Sequence, residues 1–309
     1  MAFLNSFGSY LPSRVVTNEE MGELVGCTPE WIVNVSGIEE RRFAADDECV
    51  EDMAACAARD CLDRAGIGAE SLSLILVSSG TSPRQFPGPA AAVAQQLGLS
   101  STPAIDLPLA SAGSLFGLSL AHRLAESTGN ILVVASEKMS TIVNREPVNR
   151  GTAILFGDGA GACLVSPDRG FARMVDSSIQ SDGSFTHDLK LDFDKSLEMN
   201  GRSVILQASR KLPRVIAELL ERNRQTPEQI QHFVMHQANQ NLIDRVADAL
   251  GVPSERFFSN IRRYGNTSSA SMLIAAKEWL EAGVPQGTHF VFAAFGAGFH
   301  WGAVLAEIE

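Results

Sequence analysis

The chain is predicted to be an α/β protein made of a duplicated unit, and three features predict it. Short apolar runs rich in Val, Ile and Leu alternate with longer segments of helical spacing. The order strand, loop, small polar segment, helix, strand–turn–strand occurs twice. A length of 309 residues corresponds to about two units at roughly 150 residues each. The halves are expected at residues 1–167 and 168–309, with the boundary near Ser166–Gly170. No linker or low-complexity stretch separates them, so they should pack as one body with a site between them.

Taken in order, Leu72–Ser78 is a short buried strand, followed by a Gly/Ser/Pro loop and a helix over Pro89–Leu97. Ser114–Glu126 carries Leu115, Leu118, Leu120 and Leu124 and reads as a mostly buried helix closed by Gly129-Asn130. Ile131–Ala135 is a second Val-rich strand, and Thr152–Val165 reads as strand, small-residue turn and strand. In the second half, His232–Met235 is a strand and Ser271–Ala282 a helix that breaks at Gly283. Phe290–Leu305 then repeats the strand–turn–strand design.

Composition excludes several classes. Hydrophobic residues are 45% and charged residues 20% of the chain, which is globular rather than disordered. A net charge of −11 makes non-specific binding to nucleic acid or an anionic membrane unfavourable. No uncharged apolar run approaches the roughly 18 residues of a membrane helix. Met1–Tyr10 lacks the basic start of a secretion signal. The five cysteines form no CxxC pair and are odd in number, so reduced thiols and a cytoplasmic location are expected. Asn266-Thr267-Ser268 is then a chance sequon. The six histidines show no metal-ligand spacing, so no metal is expected. Gly157–Gly161 is glycine-rich but runs into a strand-like segment, unlike a phosphate-binding loop.

Three polar positions interrupt small or apolar surroundings. Ser111 stands among Ala and Gly just before a helix, where free N–H groups favour developing negative charge on a nucleophile. The simpler reading is a helix N-cap. His236 follows a buried strand, suited to a general base or carbonyl donor, or to a structural role in the core. Asn266 precedes the second-half helix, as a cap or as an amide donor to a substrate oxygen. Ser111 and Asn266 occupy equivalent places in the two repeats. If the halves pack about a pseudo-twofold axis, both helix starts face a shared centre that His236 can join.

The chain resembles the thiolase-fold condensing enzymes, and among them the β-ketoacyl-[acyl-carrier-protein] synthase III family. The resemblance rests on Gly8-Ser9-Tyr10-Leu11-Pro12, Ser36-Gly37-Ile38 with Arg41-Arg42, and Phe156-Gly157-Asp158-Gly159-Ala160-Gly161. His236-Gln237-Ala238-Asn239, Gly265-Asn266-Thr267-Ser268 and Phe295-Gly296-Ala297-Gly298-Phe299 complete it. It implies a five-layered αβαβα fold, a homodimer, and acyl transfer from acyl-coenzyme A or acyl carrier protein as substrates rather than cofactors. It also implies a catalytic set of Ser111, His236 and Asn266, with the N–H groups of Ser111 and Ala297 as the oxyanion hole. A methyl at 297, where many relatives have Gly, fits that role only if φ is negative there. Trp31 and Arg150 would hold the adenine and phosphates of coenzyme A. Gly201 and Asn239 would line the pantetheine path, and Phe86 would reach the partner's acyl pocket. Arg202 and Asn241 depart from the family at the carrier-protein surface, where Arg210, Lys211 and Arg214 could receive an acidic partner or form a solvated face.

The resemblance departs at the nucleophile, because Ser111 stands where the family has cysteine. A thiol can be stored as thiolate near a helix start, whereas a hydroxyl must lose its proton as it attacks. Ser111 is therefore compatible with several accounts: a starter-selecting synthase of fatty-acid or polyketide type, transfer to an oxygen or nitrogen acceptor, hydrolysis of acyl thioesters, or an engineered Cys→Ser form of an ordinary enzyme. A non-catalytic partner subunit is the opposing class. Retention of His236 and Asn266 together argues against it.

Overall fold

The computed structural model describes residues 1–193 and 195–309. Ten strands form two five-strand sheets joined edge to edge: β1 (Phe3–Tyr10), β2 (Leu72–Ser78), β3 (Ala104–Leu107), β4 (Asn130–Glu137), β5 (Gly159–Ser166), β6 (Ala172–Ser181), β7 (His232–Met235), β8 (Phe257–Phe258), β9 (His289–Gly296) and β10 (His300–Ile308). They run in the order β8-β7-β9-β10-β6-β1-β5-β4-β2-β3. Within residues 1–167, β2 is parallel to β3 and β4, while β5 is antiparallel to β4 and β1. The same arrangement holds later in the chain: β7 is parallel to β8 and β9, and β10 is antiparallel to β9 and β6. The two five-strand sets meet only where Phe3 and Leu4 of β1 face Arg173 and Ala172 of β6.

The helices sort into layers through the alternation of strand side chains. Leu74 and Leu76 of β2 face one core while Ile75 and Val77 face another. In β9, Phe290 and Phe292 likewise oppose Val291 and Ala293. Strands buried on both faces read as continuous apolar runs, which is why β2, β4 and β9 stood out. The middle layer is α4 (Gly113–Thr128) with α8 (Ser271–Glu281), packed between both sheets. One outer layer holds α2 (Val50–Ala65) and α3 (Pro89–Gln96), and the other α6 (Gly201–Arg222) and α7 (Gln240–Leu250). The fold is therefore the five-layered αβαβα of the thiolase type. Helix α4 reaches the sheet because Gly117 has no side chain: a Cβ there would lie 2.7 Å from Val133 Cγ1.

One expected element is corrected. Thr152–Phe156 is not a strand: Arg150–Ala153 forms a single helical turn, α5, and Phe156 makes only a lone bridge to Asn266. The counterparts of β9 and β10 are β4 and β5, separated by an excursion over residues 138–158 that packs against α1 (Pro29–Ser36). Apolar periodicity alone could not distinguish a short buried turn from a strand.

Candidate active site

Ser111 lies in the loop between β3 and α4. Its backbone is left-handed, with φ 62°, unusual for a residue with a Cβ. The helix begins at Gly113 with Ala112 as its unaided cap, so the capping reading of Ser111 is excluded. Its hydroxyl has no hydrogen-bond partner among the described residues, and the residue is 8% exposed. Ser78 Oγ donates to Leu109 O at 3.0 Å and pins the loop from below. From above comes the end of β9. A Cβ on Gly296 would collide with Ala110 O and sit 3.0 Å from Ser111 Cβ, so glycine is required for this approach.

The Ser111 N–H donates to Ser268 Oγ at 3.1 Å. This N–H is the one expected in the oxyanion hole, and it is occupied by a protein hydroxyl in this structure. Ala297, half-buried, follows directly on Gly296. Left-handed non-glycine backbone occurs among the described residues only at Ser111, Arg224 and Ser268. The conformational condition on a methyl at 297 is therefore met.

His236 is 5% exposed at the end of β7, where its N–H donates to Ala293 O of β9. Its Nδ1 lies 2.6 Å from Ser271 Oγ, which also accepts the Gln237 N–H at 3.0 Å. These are the partners of Ser271 Oγ among the described residues. While it accepts that N–H, Ser271 Oγ still has a proton to offer Nδ1, and in that pairing the imidazole proton resides on Nε2. Burial lowers the His236 pKa from 6.5 to about 4, with no charged neighbour contributing. The ring is thus neutral near pH 7.

This neutrality has a measurable consequence. The unfolded chain takes up the histidine proton below pH 6.5 and the folded chain only below about pH 4, so folding weakens as pH falls through that window. At about 1.4 kcal/mol per unit, the loss is roughly 3 kcal/mol. Urea titrations at pH 7 and pH 4 are expected to show the wild type losing about that much more than His236→Gln. Equal losses in both proteins would exclude it.

Asn266 is 5% exposed and held at both ends of its amide. Its Oδ1 accepts the Ser268 N–H at 2.8 Å, which leaves Nδ2 as the outward donor, with Ala238 O at 3.4 Å. Its own N–H donates to Leu155 O and its carbonyl accepts the Gly157 N–H. The Phe156-Gly157 backbone is backed by Arg41, whose fully buried guanidinium donates to Val16 O, Asn18 Oδ1 and Ile154 O. Burial lowers the Arg41 pKa to about 10. The segment Asn266–Ser271 therefore touches the nucleophile loop through Ser268 and the histidine through Ser271. It brings the three predicted positions into one hydrogen-bonded cluster.

The remaining predicted positions are spread wider. The Arg150 guanidinium stands 4.4 Å over the Trp31 ring, so α5 and α1 place these two together at the surface. Gly201 opens α6 and Asn239 caps α7, but the Asn239 amide is engaged with Asn241 N and Val35 O. Phe86 is 83% exposed. Of Arg210, Lys211 and Arg214 on α6, Lys211 pairs with Asp182 at 3.0 Å and Arg214 with Glu218 at 2.7 Å, so two of these three are already paired with carboxylates. A cleft of about 710 Å³ lies behind the nucleophile loop, lined by Gly80, Thr81, Leu107, Pro108 and Lys138, and none of Ser111, His236 or Asn266 lines it. Among the described residues no cluster of His, Cys, Asp and Glu could hold a metal. No helix of the described residues is long and apolar enough to cross a membrane. Sequence reasoning missed Ser268, Ser271 and the buried Glu137; the run of small polar residues after Asn266 was the available signal.

The matches to known proteins agree with this geometry. A profile described as 3-oxoacyl-[acyl-carrier-protein (ACP)] synthase III fits residues 105–183, and one for the C terminal of the same enzymes fits residues 220–308. The chain is 36% identical to the β-ketoacyl-[acyl-carrier-protein] synthase III of Oleidesulfovibrio alaskensis over 98% of each chain. The crystal structure of the Aquifex aeolicus 3-oxoacyl-[acyl-carrier-protein] synthase III superposes with a TM-score of 0.95 at 35% identity, covering 99% of this chain and all of that one. A priming β-ketosynthase from a polyketide biosynthetic pathway gives a TM-score of 0.92 at 32% identity, over 100% of this chain and 96% of that one. With its two-sheet fold and its Ser-His-Asn cluster, the chain belongs to the 3-oxoacyl-[acyl-carrier-protein] synthase III family of condensing acyltransferases.

Proposed function

We propose that this protein takes an acyl group from acyl-coenzyme A or acyl-carrier-protein onto Ser111 and passes it to a malonyl-type carbanion. The observation that supports this best is the Ser111 hydroxyl: unpartnered, on a left-handed turn at a helix start, and tied to the segment that carries Asn266 and orients His236. In the first half-reaction Oγ bonds to the thioester carbonyl carbon, the C–S bond breaks, and the hydroxyl proton passes through His236 to the leaving thiolate. This step needs Nε2 free and the imidazole proton on Nδ1, where it can donate to Ser271 Oγ. The acyl oxygen would lie against the N–H groups of Ala297 and Ser111, the latter shared with Ser268.

The second half-reaction needs the other tautomer, with Ser271 Oγ donating to Nδ1 and the imidazole proton on Nε2. As carbon dioxide leaves a malonyl thioester, Nε2–H of His236 and Nδ2–H of Asn266 donate to the growing enolate oxygen. The carbanion attacks the acyl ester, the bond to Ser111 Oγ breaks, and the released serine oxygen takes up a proton from solvent. An oxygen ester is a poorer acyl donor than a thioester, so turnover should be slow. The test is an assay with acetyl-coenzyme A and a malonyl carrier protein. Carbon dioxide released in step with a β-ketoacyl product supports the reading; thioester cleavage without that product makes the protein a hydrolase.

Trp31 is proposed to stack the adenine of coenzyme A and Arg150 to meet its phosphates, a reading supported by the two side chains standing together at the surface. Trp31→Ala is expected to raise KM for acyl-coenzyme A by about tenfold, since a base stacked on an aromatic ring contributes roughly 1–3 kcal/mol. An unchanged KM would remove Trp31 from the binding site. A second copy is proposed to pair along the edge strand β3, where Ile105 is exposed and Phe86 projects from the neighbouring loop. Cys27, Cys49, Cys56, Cys61 and Cys163 are all free thiols, which supports a cytoplasmic location.

A further inference from the structure

Glu137 ends strand β4 with a side chain fully removed from solvent. Its Oε2 accepts from Thr81 Oγ at 2.7 Å, Gly80 N at 3.0 Å and Ser79 Oγ at 3.4 Å. Its Oε1 accepts from Ser269 Oγ at 2.6 Å, Ser268 Oγ at 3.0 Å and Ser269 N at 3.4 Å. No cation pairs with it among the described residues. Burial pushes its pKa up and the hydroxyl and N–H donors pull it back, leaving it above the usual carboxylate value. Such a site costs stability unless every contact is made, so its place beside the nucleophile calls for an explanation.

That explanation lies in the direction of one chain of hydrogen bonds. Ser268 gives its hydroxyl proton to Glu137 and so must turn a lone pair outward, where it accepts the Ser111 N–H at 3.1 Å. Both residues so joined are left-handed, Ser111 at φ 62° and Ser268 at φ 46°. Each conformation is unfavourable for a residue with a Cβ and persists only where its surroundings enforce it. We propose that Glu137 is the positioning residue of the nucleophile: through the Ser268 hydroxyl it holds the Ser111 N–H, and with it the strained backbone that presents Ser111 Oγ. The carboxylate comes from the end of β4 and the hydroxyl from the segment before α8, so the aim of the nucleophile is set where these two parts of the chain meet.

The inference rests on Ser111 being the acylated group, and the test separates the two claims. Amide hydrogen exchange at residue 111 needs no acylation. Ser268→Ala and Glu137→Gln are each expected to speed it by about tenfold or more, as for any amide that loses its acceptor. Acylation by acetyl-coenzyme A should slow by about 10- to 100-fold in both, with KM within about threefold, because misplacement rather than binding is at fault. The double variant should be no worse than Ser268→Ala alone, since both act through one hydroxyl. Asp158→Asn removes the charge of another buried carboxylate, held by Ser140 and Ala44, and should leave exchange at residue 111 unchanged. If Glu137→Gln does not fold, Ser268→Ala against Ser269→Ala decides: each strips one hydroxyl from the same oxygen, and only the first reaches Ser111. Exchange at 111 unchanged by Ser268→Ala, or equal effects of Ser268→Ala and Ser269→Ala, would overturn the inference. A wild type that never acylates, yet loses amide protection in Ser268→Ala, would keep the inference and overturn the acyl-transfer reading.

Discussion

Ser111→Cys is expected to acylate about 10²-fold faster than the wild type and to condense faster still. A cysteine has a reference pKa near 8.5, so a few per cent is already thiolate at neutral pH and needs no base during attack. The serine hydroxyl must hand its proton to His236 in the same step, which requires the tautomer with Nε2 free. The new side chain keeps the same Cβ on the same left-handed backbone, so no packing needs to change. Its thioester is also the better acyl donor to a carbanion. Single-turnover acylation with acetyl-coenzyme A measures the effect, with Ser111→Ala as the inactive reference. A cysteine variant no faster than serine would mean that proton removal from residue 111 does not limit the reaction.

His236→Ala should lower malonyl decarboxylation by about 10²–10³-fold, the size of effect seen when one donor is removed from a developing oxyanion. Asn266→Ala should fall in the same range. Both donors aim at one oxygen, so the double variant should lose less than the product of the two. The ring is neutral well below neutrality, its pKa being about 4, so the decarboxylation rate should stay flat from pH 8 to pH 5 unless another group titrates. Release of carbon dioxide from a malonyl thioester, followed without any acyl donor, isolates this half-reaction from acylation. Retention of the wild-type rate in His236→Ala would place the enolate elsewhere.

Much of the fold was legible because both faces of each sheet are buried. That makes β2, β4 and β9 continuous apolar runs bounded by small-residue loops, and it makes α4 and α8 apolar enough to recognise as inner helices. The twofold repeat was legible for the same reason. The 138–158 excursion was not: its apolar residues Ile154 and Phe156 pack against Val16, Ile32 and Phe43, far away in sequence, and a four-residue helical turn leaves no periodicity to read. At the site, Ser111, His236 and Asn266 could be singled out because each is a polar residue in a small or apolar setting. Their supports could not. Ser268 and Ser271 look like ordinary loop serines until one is seen to hold the Ser111 N–H and the other His236 Nδ1. Glu137 lies two residues past the apolar run Ile131–Ala135, and only the structure shows it sealed among hydroxyls. The Asn239 amide is engaged within the fold: Nδ2 donates to Val35 O of α1 and Oδ1 accepts the Asn241 N–H at the start of α7.

The most direct measurement is peptide mapping of the wild-type protein after incubation with a short acyl-coenzyme A and no malonyl thioester. An acyl group carried by the peptide containing Ser111, and missing from Ser111→Ala, is the expected result. Thioester consumed with Ser111 unmodified, or an adduct on any other residue, would contradict the assignment of this serine as the acyl acceptor.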